Sequence, residues 1–395
     1  MTVRFSNNSK FNQMWRKNKY DLLGIVLRRY PKFILSTSAS DLTEIPVFVF
    51  HNVTRDNFEP ILMYLGANGY RTLNADELSA RVMRGDPYDE RKVVLSFDDG
   101  DKSLYSVAYP LLKKYNFTAV AFIVPGLIGD HDLGSHWVGS DNYLCTWSEI
   151  REMHKSGVID FQAHSTLHNT IFISPQIIGY VTPNTNFAFL TGDIFPVFED
   201  ESTLIFAEDL PLGTPLYESG FRLAGQLKYI DSVSFRTSCV DYVSRNGGYD
   251  FFQHDGWKPR MDEYARSIFP DFECEARYEL LEERDQAIRK DLRTTKRIIE
   301  NKLEGKEVRH FCFPWFSGCP SAATISGEEG YLTTFWGGLV PKFAQSHPKP
   351  IAIPRLNPLY IWRLPGKGRK SLGEVLKRKH GSVIIQRMKK YELCK

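Results

Sequence analysis

At 395 residues, with 42% hydrophobic and 13% aromatic content, the chain is long enough to bury a large core in one or two domains, and a single α/β barrel with insertions fits. The formal net charge of +3 divides into +7 over residues 1–33 and +9 over 363–395, which leaves −13 on the body between them; the body is acidic, both ends are basic, and no nucleic-acid partner is expected. Six cysteines without a CxxC pair point to a reduced cytoplasmic protein, and no apolar run near the start is long enough for a secretory signal or a membrane span.

In chain order, Phe11, Met14, Trp15, Leu22, Ile25 and Val26 recur at helical spacing, with Lys and Arg mostly on the other sides. Such a helix either lies on an anionic membrane surface, as a peripheral contact, or docks on the body. The basic ends suggest an anionic membrane surface or an anionic polymer, or else are solvated tails or helix faces. Ile45–Phe50 is a short buried strand, and Asn57–Gly69 has helical spacing with a terminating glycine. Tyr70–Leu73 is a brief strand and Ala75–Arg84 a helix. Val93–Phe97 is an apolar strand that runs into Asp98-Asp99-Gly100. Helix 104–115, strand 119–124, helix 147–155 and strand 159–163 follow, the last leading directly into His164. This alternation is the signature of a parallel sheet or barrel, whose chemistry sits on loops at the C-terminal ends of the strands.

From Thr170 to about Cys274 the alternation breaks, and the stretch reads as an insertion or subdomain. Its Tyr217, Phe221, Phe251, Phe252 and Trp257 are read either as sugar-stacking rings or as a small core. Regularity returns with a charged helix over 275–303, strand 309–313, the loop Pro314-Trp315-Phe316-Ser317-Gly318, and a last strand over 350–355. The expected organisation is a basic extension over 1–44, a barrel over 45–362 with its insertion at about 170–274, and a basic tail over 363–395.

Paired carboxylates at one strand end and two imidazoles four residues apart, His164 and His168, form a set for one divalent cation with a base beside it. A zinc-type site with an open position takes about three protein ligands from His and carboxylate. The ion acidifies water and polarises a carbonyl, and a second carboxylate can take the proton. An adjacent Asp98-Asp99 pair therefore has a use for each member.

Ser96-Phe97-Asp98-Asp99-Gly100, His164-Ser-Thr-Leu-His168 and Phe311-Cys312-Phe313-Pro314-Trp315-Phe316-Ser317-Gly318 resemble the three leading motifs of the polysaccharide deacetylases, the NodB-homology or carbohydrate esterase family 4 group. Pro46-Val-Phe-Val-Phe-His51, Gly330-Tyr331 and Ile353-Pro-Arg355 are similar to other segments of the same group. The resemblance covers about 45–168 and 275–357. It implies a deformed (β/α) barrel and removal of an N-acetyl group from an amino sugar in a glycan. By motif match, Asp98 is the general base, and Asp99, His164 and His168 hold the metal, Zn2+ in the first instance. Pro314, Trp315 and Phe316 shape the sugar site, and the backbone near Trp315 contributes oxyanion donors. Phe311-Cys312 stands where many members have an arginine, and Arg355 is the candidate to supply that charge to Asp98 as the second catalytic residue. No match to the group's late histidine acid is found, since His310, His347 and His380 fit poorly and His51 borders the site or packs. Two further readings stay open: a carbohydrate-binding protein on a retired scaffold, and a hydrolase of a cyclic amide.

Overall fold

In the computed structural model, the residues described are 30–37, 42–86, 91–129, 144–168, 170–185, 198–200, 203–205, 210–345 and 350–379. The apolar stripe expected within 11–26, His347 and the tail beyond 379 lie outside them.

One unit, drawn from residues 13–166, 292–316 and 326–395, is built on strands that follow chain order around a parallel sheet. They are β1 Val47–Phe50, β2 Lys92–Asp99, β3 Ala119–Ile123, β4 Ile159–Ala163, β5 His310–Cys312, β6 Thr333–Trp336 and β7 Ile351–Pro354. Each pairs in parallel with the next. Leu356, just past β7, bridges in parallel to Phe48 of β1. Its N–H donates to Val47 O (2.7 Å) and its carbonyl accepts from Val49 N–H (3.0 Å). The sheet is thereby nearly closed, as the expected deformed (β/α) barrel requires.

Alternation along the strands decides what lines the interior. Val47, Val94, Val120, Phe122, Cys312, Phe335 and Ile353 form one buried cluster inside, joined by Leu73, Ala75 and Leu78 from the segment that opens helix Ala75–Arg84. The opposite face of β2 turns Phe97 to Phe50 and to Phe58 of helix Arg55–Ala67, with ring centroids 5.2 and 5.6 Å away. A strand covered on both faces carries a continuous apolar run, which is how Val93–Phe97 reads in the sequence. Helix Arg55–Ala67 starts at a Thr54/Asn57 capping box and stops before Gly69, whose φ of 70° is a conformation glycine adopts without a Cβ penalty.

Two expected helices differ in detail. The first turn of the 104–115 helix is π-helical, Leu104–Ala108, and α geometry begins at Tyr109. Pro110, with no N–H to give to residue 106, sits at that change of register. The helix expected from 275 begins instead at Leu281, because Arg277–Tyr278 pairs as an antiparallel strand with Tyr229–Ile230. Glu283 then closes the helix start by accepting from Leu280 N–H at 2.7 Å, so tertiary pairing overrides local helical preference.

Part of the charge at the two ends is used in folding. The short helix Lys32–Leu35 buries Phe33 and Ile34. Its last carbonyls are held by Arg363, which donates to Ile34 O at 3.0 Å, and by Arg369, which donates to Phe33 O and Ser36 O at 3.1 and 2.8 Å. Guanidinium groups placed at a helix C-terminus satisfy carbonyls that have no partner within the helix. Arg363 and Arg369 therefore act as structural cations.

The second unit comprises 167–291 and 317–325 of the described residues. It pairs Thr170–Tyr180 with Pro215–Phe221 and Phe198–Asp200 with Thr203–Ile205, both antiparallel, and adds helices Val233–Arg245 and Trp257–Phe272. These two helices are absent from the sequence expectation. Tyr217 and Phe251 lie in its buried cluster with Phe235, Met261 and others, and Phe252 and Trp257 pack against that cluster. Four of the five rings named above therefore serve as core. Gly225 has φ 87°, and a Cβ there would lie 2.7 Å from Cys319 Cβ. Gly225→Ala is accordingly expected to destabilise the protein by about 1–3 kcal/mol, read as a lower denaturation midpoint at unchanged slope.

Cys145, Cys239, Cys274, Cys312 and Cys319 are free thiols. No helix among the described residues is long and apolar enough to cross a membrane.

Candidate metal centre and active site

The parallel register brings the ends of β2, β4, β5 and β7 to one rim of the barrel. Asp98 and Asp99 end β2, His164 follows β4, Cys312 ends β5 and Arg355 follows β7. Asp98 closes an inward-facing column, Val94–Ser96–Asp98, and is 2% exposed.

A carboxylate that deep needs a partner. Arg355, 1% exposed, meets it as a fork, with Nη1–Oδ1 at 2.5 Å and Nη2–Oδ2 at 2.9 Å. The Arg355 Nε–H donates to Trp336 O at 3.3 Å. His164 Nε2 and His51 Nε2 stand 4.0 and 3.8 Å from Asp98 Oδ2. Burial alone would raise the pKa of Asp98, but Arg355, His164 and His51 together outweigh it and hold the carboxyl below its ordinary range. Asp98 is thus ionised at neutral pH.

Beside it, one ligand atom from each of Asp99, His164 and His168 can be chosen so that all three lie within 4.8 Å of one another. The His164 Nδ1 lies 2.9 Å from Cys312 O. A carbonyl only accepts, so Nδ1 carries a proton, and Nε2 faces Asp99, whose Oδ1 is 3.4 Å away and accepts from it when the ring is protonated. A backbone carbonyl fixing the tautomer of a ligand imidazole is the support that metal sites use. Burial lowers the pKa of His164, yet Cys312, Asp98 and Asp99 drive it well above its ordinary value. The group is electronegative enough to attract a cation, and one carboxylate with two imidazoles suits a zinc-type ion. These residues therefore fit a divalent metal.

Backbone strain concentrates here. Among the described residues, six that are not glycine have positive φ: Asp99, Asn116, Ser165, His168, Trp315 and Phe316. All but the helix-capping Asn116 belong to the loops carrying the expected motifs. Conformations of this kind cost energy and persist where surrounding contacts over-determine them, which happens most often at functional loops. Asp99 reaches its orientation, divergent from Asp98, through its φ of 71°.

Pro314, Trp315 and Phe316 form one 3-10 turn after β5. The Phe316 N–H donates to Phe313 O at 3.2 Å, so that amide is not available to an oxyanion. The Phe316 ring stands 5.2 Å from the Arg355 guanidinium. His310 lies away from the rim, at the start of β5. It is buried, with Nδ1 2.7 Å from Thr333 Oγ1 and Nε2 3.2 Å from Asp76 Oδ1.

Sequence reasoning passed over one member of the site, Cys312, and left another, His51, between two readings. Cys312 places Sγ 3.9 Å from both Asp98 oxygens. In the sequence it stood out only as a departure from a motif, although strand alternation puts it on the inward face. His51 was read as packing or bordering, and it lies at the end of β1 with its side chain 47% exposed.

Residues 85–184 match the family model for polysaccharide deacetylase. The poly-beta-1,6-N-acetyl-D-glucosamine N-deacetylase of Staphylococcus aureus is 31% identical over 123 residues, which cover 30% of this chain and 39% of that protein. The matched stretch therefore spans about two fifths of that relative's length. Two solved structures are similar at low identity. A de-N-acetylase from Aggregatibacter actinomycetemcomitans has a TM-score of 0.47 at 18% identity, covering 79% of this chain and 94% of that one. The BpsB deacetylase domain from Bordetella bronchiseptica has a TM-score of 0.47 at 17% identity, covering 79% and 95%. The matched stretch 85–184 contains both aspartates and both histidines of the rim, so it is in this part of the chain that the similarity to the polysaccharide deacetylases lies.

Proposed function

We propose that the protein is a metal-dependent N-deacetylase that hydrolyses the N-acetyl group of an amino sugar, releasing acetate and leaving the free amine. The observation that carries this reading is an ionised carboxylate, Asp98, locked by Arg355 beside a separate Asp99–His164–His168 ligand set. The Staphylococcus aureus relative is named for poly-beta-1,6-N-acetyl-D-glucosamine, and polymers of N-acetylglucosamine are the substrate class we assign.

In this reading Asp99, His164 and His168 hold the ion, taken as Zn2+. When bound, such an ion polarises the amide carbonyl and brings the pKa of water to about 7. Asp98 accepts the proton of the attacking water as general base. Arg355 positions Asp98 and keeps it ionised. His51, half exposed and 3.8 Å from Asp98, is assigned the role of the acid that hands a proton to the departing amine. Cys312 orients His164 through its backbone carbonyl.

The test is acetate release from N-acetylglucosamine oligomers by purified protein, before and after chelation and after return of Zn2+. Chelation should abolish release and the metal should restore it. Cyclic amides serve as the competing substrate class, and turnover of these without acetate release from the sugar would replace the proposal. His164→Ala is expected to lose both bound metal and activity, because the variant removes a ligand in direct reach of Asp99. Metal content of the purified variant decides this, and full metal occupancy with His164 absent would remove it from the ligand set.

A further inference from the structure

We infer that Phe316 is a positioning residue that clamps Arg355 over Asp98, and that its contribution to catalysis comes through this contact instead of through sugar binding. The inference rests on the reading of Asp98 as the base. A planar guanidinium has donor edges and two faces, and to hold a carboxylate in one orientation both must be fixed. The edges of Arg355 are taken by Asp98 and by Trp336 O. The guanidinium carbon also stands over two rings, Phe122 at 5.5 Å and Phe316 at 5.2 Å, both within the range for cation–π attraction.

The two rings are held differently. Phe122 is part of β3, fully buried and 4.7 Å from the Phe335 ring. Phe316 is supplied by the turn after β5, where Trp315 and Phe316 take left-handed backbone in succession, φ 58° and 56°. Two such residues in a row are disfavoured, and this backbone carries the ring to 5.2 Å from the Arg355 guanidinium. Gly337, at the end of β6, makes the room. A Cβ there would come within 3.1 Å of Phe316 Cβ, so the strand end is shaped around the seated ring. The motif resemblance assigns Phe316 to the sugar, whereas the ring face against Arg355 is already occupied by the guanidinium.

The two roles give opposite kinetics in the 395-residue chain. For Phe316→Leu, the clamp requires kcat for acetate release to fall about tenfold or more, since small displacements of a catalytic group are costly, with KM changed less than about twofold. Phe316→Tyr, which keeps the ring, should restore kcat. A raised KM with unchanged kcat would assign the ring to substrate and overturn the inference. A second measurement does not use activity: melting temperatures in a double-mutant cycle of Phe316→Leu with Arg355→Met, or with Arg355→Lys if the methionine variant does not fold. Non-additive shifts are expected from a direct contact, and additive shifts would refute the clamp even if the enzyme is a deacetylase. If the wild-type chain releases no acetate, the functional reading fails while the cycle still reports on the contact.

Discussion

Asp98→Asn should lower kcat for acetate release by about 10²–10⁴, the range for loss of a general base, while bound metal stays at the wild-type level. The argument is positional. Asp98 and Asp99 are adjacent in sequence, yet the left-handed backbone at Asp99 sends the two carboxylates to different partners. Asp98 is committed to Arg355, and Asp99 groups with His164 and His168. Removing the charge at 98 therefore leaves the ligand set whole. Acetate assay and metal stoichiometry on the same preparation separate the two roles. Full activity in the variant would take Asp98 out of the base role, and loss of metal would make it a ligand. Asparagine also leaves Arg355 without its counter-charge, so the melting temperature must be measured alongside to show that the variant is folded at the assay temperature.

Arg355→Met should destabilise the protein by about 3–5 kcal/mol, the cost of stripping one partner from a buried ion pair. Both groups are almost fully buried, so the carboxylate left behind has no access to bulk water. The loss should depend on pH in metal-free protein. In the wild type the folded Asp98 pKa lies below its ordinary value. Its contribution to stability is therefore present above the unfolded carboxylate value of about 3.9 and is lost as pH falls through the lower folded value. In the variant, burial is no longer opposed by Arg355 and raises the Asp98 pKa, so protonation relieves the buried charge at a higher pH. The stability gap between wild type and variant should be widest near neutrality and narrow in acid. Denaturation midpoints at several pH values measure it, and a gap independent of pH would mean that the pair is not what the substitution breaks. Adding Asp98→Leu to the variant should recover much of the stability without recovering activity, since a buried pair can be exchanged for apolar side chains at little cost.

The barrel was legible in the chain for a simple reason. Its strands are covered on both faces, and their apolar runs alternate with helices marked by capping boxes and terminal glycines, as at Thr54–Gly69 and Asn74–Gly85. The metal-site candidates were legible because each lies in a short segment with a distinctive residue pair. The helices Val233–Arg245 and Trp257–Phe272 were not. Their buried positions are sparse (Phe235, Cys239 and Val243 on one, Met261 and Ala265 on the other), and the aromatic residues around them resemble strand composition as much as helix. The late start of the helix at Leu281 was hidden for a related reason, because a strand pairing formed 49 residues away in sequence, Tyr229 with Tyr278, replaced its first turns.

Local pattern alone determined the order of strands and helices, the ends of the strands where polar residues gather, and the identity of Asp98, Asp99, His164 and His168 as a group worth testing, because strand period, helix caps and motif spacing are written within a few residues of one another. Tertiary structure alone decided that Arg355 meets Asp98 from 257 residues away, that Cys312 and His51 border the same carboxylate, and that Phe316 faces a guanidinium. Those contacts depend on how seven strands register and how the last returns to the first. A shift of one residue in any of these pairings would turn the same side chains to the other face of the sheet.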